Sequence, residues 1–481
     1  MEENKRIKWF TVSMIAFSMV WGFGNVVNNY AQQGTSVVTS WILIMVLYFI
    51  PYALIVGQLG STFKDSSGGV SSWVKETTGK KRLAYYAAWT YWVVHITYLA
   101  QKPQSVLIAL GWVFRGNGNV ATNMSVQTVA IISLVIFLIF LFLSTKGLNT
   151  LKFIGSLAGT AMLVMSILFI ILAVAVPFIT PGFEAATPDL TSASTYIPDF
   201  NLGYFATISM LVFAVGGAEK ISPYVNAIDR PARNFPKAMI FMALMIAISA
   251  ILGSVAMAML FDSNNIPDDL MANGAYSAFQ ILGNYFGVGN LFMIIYGLAN
   301  AAGQSAALAF SIDAPLKILL NDADPEFVPR WLRKRNAKGT LVNGYLLTGV
   351  LVIIIIILPI FGIENMSELV KWLTNLNSVV MPMRYVWVFF AYMMLVKQAK
   401  KFNSEYKFIK NPKIAFVVGL WCFLFTALAC ILGMIPKIEY AANPGSWMFQ
   451  LASNIITPFV LIALGMILPM IAKRERAKGI E

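Results

Sequence analysis

Long stretches without a charged residue alternate with short polar segments along the whole chain. Each of them exceeds the roughly 18 apolar residues that a helix needs to cross a bilayer, where hydrocarbon satisfies no exposed backbone group. The pattern therefore predicts an all-α polytopic membrane protein. The uncharged stretches are residues 9–63, 116–145, 153–183, 270–312, 339–363 and 440–472.

Twelve transmembrane helices fit this pattern. Of the 35 Lys and Arg residues, 29 fall in the termini and connections on one side, whereas only Arg115 and Lys437 fall in connections on the other side. Because basic loops stay in the cytoplasm, this bias predicts a plasma-membrane protein with both termini cytoplasmic. The twelve spans are expected at about residues 9–30, 35–62, 84–114, 124–143, 152–178, 201–225, 236–260, 284–312, 340–361, 366–397, 413–435 and 447–472.

Composition and charge reduce the number of functions that this protein is expected to have. Apolar residues make up 58% of the chain and charged residues only 12%, about half of the usual charged share of about 25%. The basic loops explain the net charge of +13, so this charge predicts no nucleic-acid partner. With one histidine, no cysteine cluster and no P-loop motif, we expect no cofactor, no metal and no enzyme activity.

Two glycine-rich segments lie well inside predicted spans one and six. Paired glycines destabilise a helix interior by roughly 1 kcal/mol each relative to alanine, and unwound backbone inside a membrane is tolerated only where it lines a cavity or contacts protein. We expect a helix break and a substrate site at each segment. The first comprises Trp21, Gly22, Phe23, Gly24 and Asn25, and the second comprises Phe213, Ala214, Val215, Gly216 and Gly217.

The two breaks fall in segments that cross the membrane in opposite directions. This is the pattern of an inverted repeat with a binding site at the bilayer midplane. Free N–H groups at one broken end suit a carboxylate, and free carbonyl groups at the other suit an ammonium, so a zwitterionic amino acid fits both. The alternative is close packing of helices through small residues.

Several motifs resemble those of amino-acid permeases of the amino acid–polyamine–organocation superfamily, most closely the glutamate/GABA antiporter family. The resemblance implies a five-plus-five inverted-repeat fold with discontinuous helices 1 and 6, two extra helices, alternating access, and proton-coupled uptake or substrate exchange. The similar residues are Ser18-Met19-Val20, Phe49-Ile50-Pro51, Gly68-Gly69-Val70 followed by Trp73-Val74, Gly217-Ala218-Glu219, Val225-Asn226, and residues 231–236.

This resemblance divides the chain into five parts, but three positions depart from the family pattern. Gln58 stands where relatives usually carry glutamate, residues 158–161 contain no lysine, and Lys220 follows the motif glutamate. The substrate and the coupling ion therefore stay open. The expected parts are a cytoplasmic N-terminus 1–8, a first repeat 9–178, a second repeat 201–397, two further helices at 413–472, and a cytoplasmic C-terminus 473–481.

Polar side chains in the predicted third span form another candidate group. His95 and Lys102 are seven residues apart and lie nearly on one helix face, with Tyr98 on a neighbouring stripe. His95 is a candidate pH sensor, and Lys102 is a candidate ligand for a substrate carboxylate. The alternatives are a histidine hydrogen-bonded between helices and an ion pair in the outer half of the span.

Three charged side chains in predicted spans six and ten are coupling or gating candidates. Glu219 is a candidate proton carrier, since an intramembrane carboxylate is usually functional, or else a structural partner of span one or ten. Lys220 points about 100° away from it on a helix and pairs elsewhere or snorkels. Arg384 is a candidate inner gate, with a salt bridge to an acid such as Asp313 as the alternative.

Taken together, these features predict a secondary active amino-acid transporter that works by alternating access. The alternative is a channel or a non-transporting receptor, which the two breaks disfavour because they indicate an occluded central site. Lys102, Lys220 and Arg384 outnumber Glu219 in the spans, which favours an anionic or zwitterionic substrate over a polyamine. The expected partners are an amino acid or an amino-acid-derived amine, protons as a second candidate, and the lipid bilayer; the oligomeric state is open.

Overall fold

The computed structural model describes most of the chain. Gly68, the end of the predicted ninth span at 358–361, and the terminal residues 1–5 and 480–481 lie outside the described residues. The described ranges are 6–66, 69–118, 124–146, 148–321, 323–337, 339–357, 366–437, 440–441 and 444–479.

Helices follow one another through the first half of the described chain. The apolar composition of these segments, which carry few charges, is what a bilayer requires of helices that satisfy their own backbone groups. They are α1 (Trp9–Val20), α2 (Gly24–Gln33), α3 (Val37–Ile44), α4 (Ile50–Thr62), α5 (Val70–Thr78), α6 (Lys81–Val93), α7 (His95–Arg115), α8 (Val126–Ser144), α9 (Leu148–Ile179) and α10 (Leu202–Ala214).

The second half is helical as well and begins with a 3-10 segment, Ala218–Ala227. In the described ranges the β-structure is confined to a single bridge between Ile7 and Ile228. The helices are α11 (Pro231–Leu260), α12 (Leu270–Tyr285), α13 (Leu291–Leu320), α14 (Arg330–Arg333), α15 (Val342–Ile357), α16 (Met366–Val380), α17 (Tyr385–Lys397), α18 (Pro412–Gly433), α19 (Pro444–Ala463) and α20 (Ile467–Ala477).

Nine helical runs in the described part of the chain are long and apolar enough to cross a membrane. The first of them, Trp9–Thr62, has 54 residues. At about 1.5 Å per residue this is far more than one bilayer crossing of about 30 Å needs. The all-α, multi-pass membrane architecture is therefore confirmed. The other eight are Val126–Ser144, Phe153–Ile179, Leu202–Ala227, Pro231–Leu260, Leu291–Leu320, Leu369–Lys397, Pro412–Gly433 and Gln450–Ala477.

The outward faces of several helices carry exposed apolar side chains. Ile131 on α8, Phe153 on α9 and Val417 on α18 are 64%, 71% and 61% exposed. Such a surface is unfavourable in water but matches the hydrocarbon of a bilayer. The polar side chains of the candidate site lie inside the bundle instead.

Helix α9 packs closely against α1 at Gly159. A Cβ atom at this position would collide with the backbone carbonyl of Met14. This contact explains why position 159 carries no lysine, since no side chain fits there between the two backbones. Small residues at helix contacts of this kind let two membrane helices approach each other.

We expect Gly159→Ala to lower the melting temperature of the detergent-solubilised protein. Alanine is favoured over glycine in a helix interior by about 1 kcal/mol, but overpacking against Met14 costs about 1–3 kcal/mol and outweighs that gain. The neighbouring variant Thr160→Ala changes an exposed side chain and serves as the control, with little effect. A melting temperature that rises in Gly159→Ala contradicts the close approach.

Candidate functional site

The first glycine-rich segment interrupts a helix. Helix α1 ends at Val20 and α2 begins at Gly24. The amide groups of Gly22, Phe23 and Gly24 have no backbone acceptor among the described residues. These three N–H groups form the N-terminal end of α2, where partial positive charge suits a carboxylate.

The second glycine-rich segment interrupts a helix in the same way. Helix α10 ends at Ala214 and the 3-10 segment begins at Ala218. Gly217 has φ 118°, a conformation that glycine adopts most readily. A Cβ atom at Gly216 would collide with the hydroxyl of Tyr385. Both glycines are therefore required by the local backbone and its neighbours.

Asn25 connects the two breaks. Its side-chain Nδ2 donates to the carbonyl of Val20, the last residue of α1, at 3.3 Å, and to the carbonyl of Ala214, the last residue of α10, at 3.1 Å. Both are C-terminal carbonyls, which lack a partner within their own helix. One amide group therefore satisfies the ends of two half-helices and holds them side by side.

A cavity of about 130 Å³ lies at the breaks. It is lined by residues of α1, α2, α7, α9, α10, α12, α13 and α16, together with Lys220, Met381 and Arg384. Ten residues predicted from sequence lie on its wall: Trp21, Gly22, Gly24, Asn25, Tyr98, Lys102, Phe213, Gly216, Lys220 and Arg384. Six predicted residues do not line it: Phe23, Ala214, Val215, Gly217, His95 and Glu219.

Phe23 shows why a residue inside a break can miss the cavity. Its ring packs against Phe169, Phe279 and Tyr296, with centroid distances of 4.4, 5.8 and 5.9 Å. These contacts bury Phe23 among α9, α12 and α13 and anchor the break to them. Its side chain therefore serves packing, while its backbone N–H belongs to the start of α2.

Two lysines of the cavity flank one aromatic ring. The ammonium groups of Lys102 and Lys220 lie 4.5 and 4.6 Å from the ring centroid of Tyr98, within the range of a cation–π contact. Lys220 also donates to Ser311 at 3.3 Å. Neither lysine has an acidic partner within the described ranges. The cavity therefore holds two lysine side chains that contact no acid.

Lys102 begins a chain of polar contacts that sequence reasoning missed. It donates to Gln304 at 2.8 Å, Gln304 donates to Asn300 at 3.1 Å, and Asn300 donates to Tyr276 at 2.7 Å. All four side chains line the cavity. Asn300 and Gln304 are four residues apart on α13 and therefore lie on one helix face. Two amide side chains on one face of an apolar helix are the sequence pattern that could have predicted this polar chain.

A buried ion pair lies beside the cavity. Glu219 is 0% exposed and Arg384 is 1% exposed, and the Nε of Arg384 donates to Oε1 of Glu219 at 2.8 Å. Tyr91 donates to the same oxygen at 2.7 Å, and the hydroxyl of Tyr52 donates to Oε2. The carboxylate is thus held by three donors, as a charge in a membrane interior requires.

Arg384 does not pair with Asp313, the partner considered from sequence. Asp313 instead pairs with Lys317 at 2.7 Å and accepts hydrogen bonds from the hydroxyls of Tyr224 and Tyr345. This second cluster joins α13 to α15 and to the 3-10 segment. The two acids are therefore separate, and each has its own cation.

His95 lies next to the buried ion pair of Glu219 and Arg384, and its two contacts define its protonation state. Its Nδ1 lies 2.6 Å from the carbonyl of Tyr91 and its Nε2 lies 3.2 Å from Nη1 of Arg384. A carbonyl only accepts and a guanidinium only donates, so Nδ1 carries the proton and Nε2 accepts. His95 is neutral in this arrangement, and protonation at Nε2 requires the contact with Arg384 to break.

Comparison with known proteins identifies close and distant relatives. The family profile described as amino acid permease matches residues 7–462. The chain is 69% identical to the aspartate/glutamate permease AcaP of Lactococcus lactis subsp. cremoris (strain MG1363), over 99% of this chain and 97% of that protein.

Two antiporters of Lactococcus lactis subsp. lactis (strain IL1403) are more distant. The glutamate/gamma-aminobutyrate antiporter is 23% identical over 87% of this chain and 82% of its own length. The probable agmatine/putrescine antiporter AguD is 22% identical over 83% of each chain. These relatives support the carrier expected from sequence rather than the channel, receptor or enzyme.

We expect the buried pair to behave as one unit in a double-mutant cycle. Glu219→Gln and Arg384→Met each leave one uncompensated group, which costs about 3–5 kcal/mol for a buried pair, so each lowers the melting temperature strongly. The double variant loses less than the sum of the two, because neither charge remains. Glu405→Gln, which breaks an exposed pair with Lys64, is the control with a small effect. Strictly additive losses contradict the pairing.

Proposed function

The chain belongs to the amino acid permease family and is a secondary amino-acid transporter, and on this basis we propose that it carries the acidic amino acids aspartate and glutamate. The name of the relative at 69% identity supports this substrate class. The arrangement of charge in the cavity supports it independently.

The observation that carries the proposal is the sign of the cavity charge. Lys102, Lys220 and Arg384 line it, and no Asp or Glu is present among its described lining residues. Arg384 is compensated by Glu219, which leaves the two lysines. At an effective dielectric constant of about 20, opposite unit charges about 4 Å apart attract by about 4 kcal/mol. Such a cavity favours a substrate with net charge −1 and disfavours cationic amines.

The helix ends provide the remaining groups for an acidic amino acid. In the proposed binding mode, the N–H groups of Gly22, Phe23 and Gly24 hold the α-carboxylate, because helix N-termini favour anions. Backbone carbonyl groups around residues 213–217 accept from the α-ammonium. The side-chain carboxylate then lies beside Lys102 and Lys220.

Alternating access is proposed to move this site between the two sides of the membrane. The cavity extends from the breaks to Asn28 on α2 and Met271 on α12, which lie toward the predicted outer side. On the predicted inner side, the backbone of Ile7 exchanges hydrogen bonds of 3.0 Å with Ala227 and Asp229. We therefore interpret the arrangement as open to the outside and closed to the cytoplasm.

The finer architecture belongs to the same proposal. We propose twelve crossings in a five-plus-five inverted repeat, with repeats at residues 9–178 and 201–397 and two further helices at 413–472. The protein is proposed to lie in the plasma membrane with both termini in the cytoplasm, where the basic residues concentrate. Glu219 is proposed as a structural partner of Arg384 and as the candidate for coupling to protons.

We expect Lys102→Met and Lys220→Met each to raise the KM for aspartate by at least about tenfold. A charge-assisted hydrogen bond contributes about 1.5–3 kcal/mol, and about 1.4 kcal/mol corresponds to a factor of ten. The measurement is counterflow of labelled aspartate and glutamate in proteoliposomes. Unlabelled asparagine, which lacks the second carboxylate, is expected to compete relatively better in both variants than in the wild-type protein.

Lys371→Met provides the matched control, because Lys371 lies outside the cavity lining and faces Asp268 at 3.8 Å near the surface. It is expected to transport with the wild-type KM. An unchanged KM in both cavity variants refutes the role of the lysines. Counterflow of agmatine or putrescine in preference to aspartate refutes the acidic substrate class.

A further inference from the structure

A groove on the outer surface of α11 stands apart from the transport cavity. It has a volume of about 380 Å³ and lies where α11 begins, next to the start of α1. We refer to it as the interfacial groove. Its lining residues are Trp9, Arg233, Pro236, Lys237, Ile240, Phe241, Leu244 and Tyr406.

One end of the interfacial groove is cationic. Arg233 and Lys237 are exposed and one helical turn apart on α11. Within the described residues neither forms an ion pair with an acid. The Lys237 ammonium lies 4.0 Å from the ring centroid of Trp9, which holds it over the groove. Two neighbouring cations without a counter-charge suit an anionic group.

Aromatic rings indicate the depth in the membrane at which the cationic end of the groove lies. Trp9 packs edge-on against Phe10 and Phe241, with centroid distances of 5.8 and 5.7 Å. Phe10 is 49% exposed although it is apolar. Tryptophan is enriched at the level of the lipid headgroups, so this cluster places Arg233 and Lys237 at the boundary between water and hydrocarbon.

The other end continues as an apolar stripe along the same helix. Ile240, Leu244, Ile248 and Leu252 are 41%, 53%, 53% and 47% exposed. Their spacing of four residues aligns them on one face of α11. From Ile240 to Leu252 the helix rises about 18 Å, close to the half-thickness of about 15 Å of a bilayer core. The stripe therefore matches the length of an acyl chain in one leaflet.

We propose that the interfacial groove binds one anionic phospholipid of the cytoplasmic leaflet. The phosphate lies between Arg233 and Lys237, and an acyl chain follows the apolar stripe. A free phosphate satisfies only the cationic end, whereas a phospholipid satisfies both ends. Basic sites on the cytoplasmic side of membrane helices recognise lipid headgroups of this kind.

The position of the groove gives the bound lipid a structural consequence. Trp9 begins α1, and Ile7 forms the backbone bridge to Ile228 just before α11. A lipid in the groove contacts both α1 and α11 and so stabilises the closed side of the transporter. Lipid binding at the interfacial groove is independent of which amino acid the protein carries.

The test is a thermal unfolding measurement on the full-length protein purified in a neutral detergent. Phosphatidylglycerol is expected to raise the melting temperature by at least about 2 °C, because a ligand that binds only the folded state stabilises it. Phosphatidylcholine and inorganic phosphate are expected to have no such effect. In the double variant Arg233→Gln/Lys237→Gln the shift is expected to disappear.

The matched control is Lys473→Gln/Lys478→Gln, which removes the same charge from two exposed lysines of the C-terminal segment and is expected to keep the shift. Native mass spectrometry of both double variants provides a second measurement, with retained phosphatidylglycerol expected only in the control. Equal shifts from both lipids, an equal shift from inorganic phosphate, or retention of the lipid by Arg233→Gln/Lys237→Gln overturns the proposal.

Discussion

This structure depends on one constraint: backbone N–H and C=O groups that lack a helical partner inside a membrane protein must be satisfied by other polar groups. Two helices are interrupted there, and their free ends must meet protein or a polar cavity, because lipid satisfies none of them. Asn25 meets this requirement with one side chain that donates to the last carbonyl of α1 and to that of α10. Gly22 and Gly24 at the start of α2 line the cavity, and in the proposed binding mode the amide groups left free by the break hold the substrate.

Charge is arranged in two groups around these breaks. Arg384 on the cavity wall pairs with Glu219, which does not line the cavity, and Tyr91 and His95 fix their orientation. In the cavity itself, two lysines share the ring of Tyr98 and have no acid beside them. A buried pair of this kind adds little net stability, because the desolvation of both charges offsets their attraction. We propose that these two lysines select an anionic substrate, since no acid contacts either of them.

Much of this organisation follows from sequence, and the rest depends on how helices pair. Glycine-rich segments in apolar spans predict both breaks, because each glycine weakens a helix interior by about 1 kcal/mol relative to alanine. The partner of Arg384 is not predictable in this way, since Glu219 lies 165 residues away and only the packed bundle brings the two together. The rotation of an interrupted segment about its axis is not predictable from sequence either. Phe23, for example, packs into an aromatic cluster. Gln304, by contrast, was predictable from sequence, because it is a polar residue on a face of an apolar helix.

The most direct test of this account is an experimental structure of the protein in lipid nanodiscs with aspartate bound. We expect ligand density in the cavity, with one carboxylate at the amide groups of residues 22–24 and the other beside Lys102 and Lys220. We also expect that Asn25 still connects the two half-helices. Continuous helices through residues 21–25 and 214–217, or aspartate bound away from these amide groups and lysines, would contradict this account.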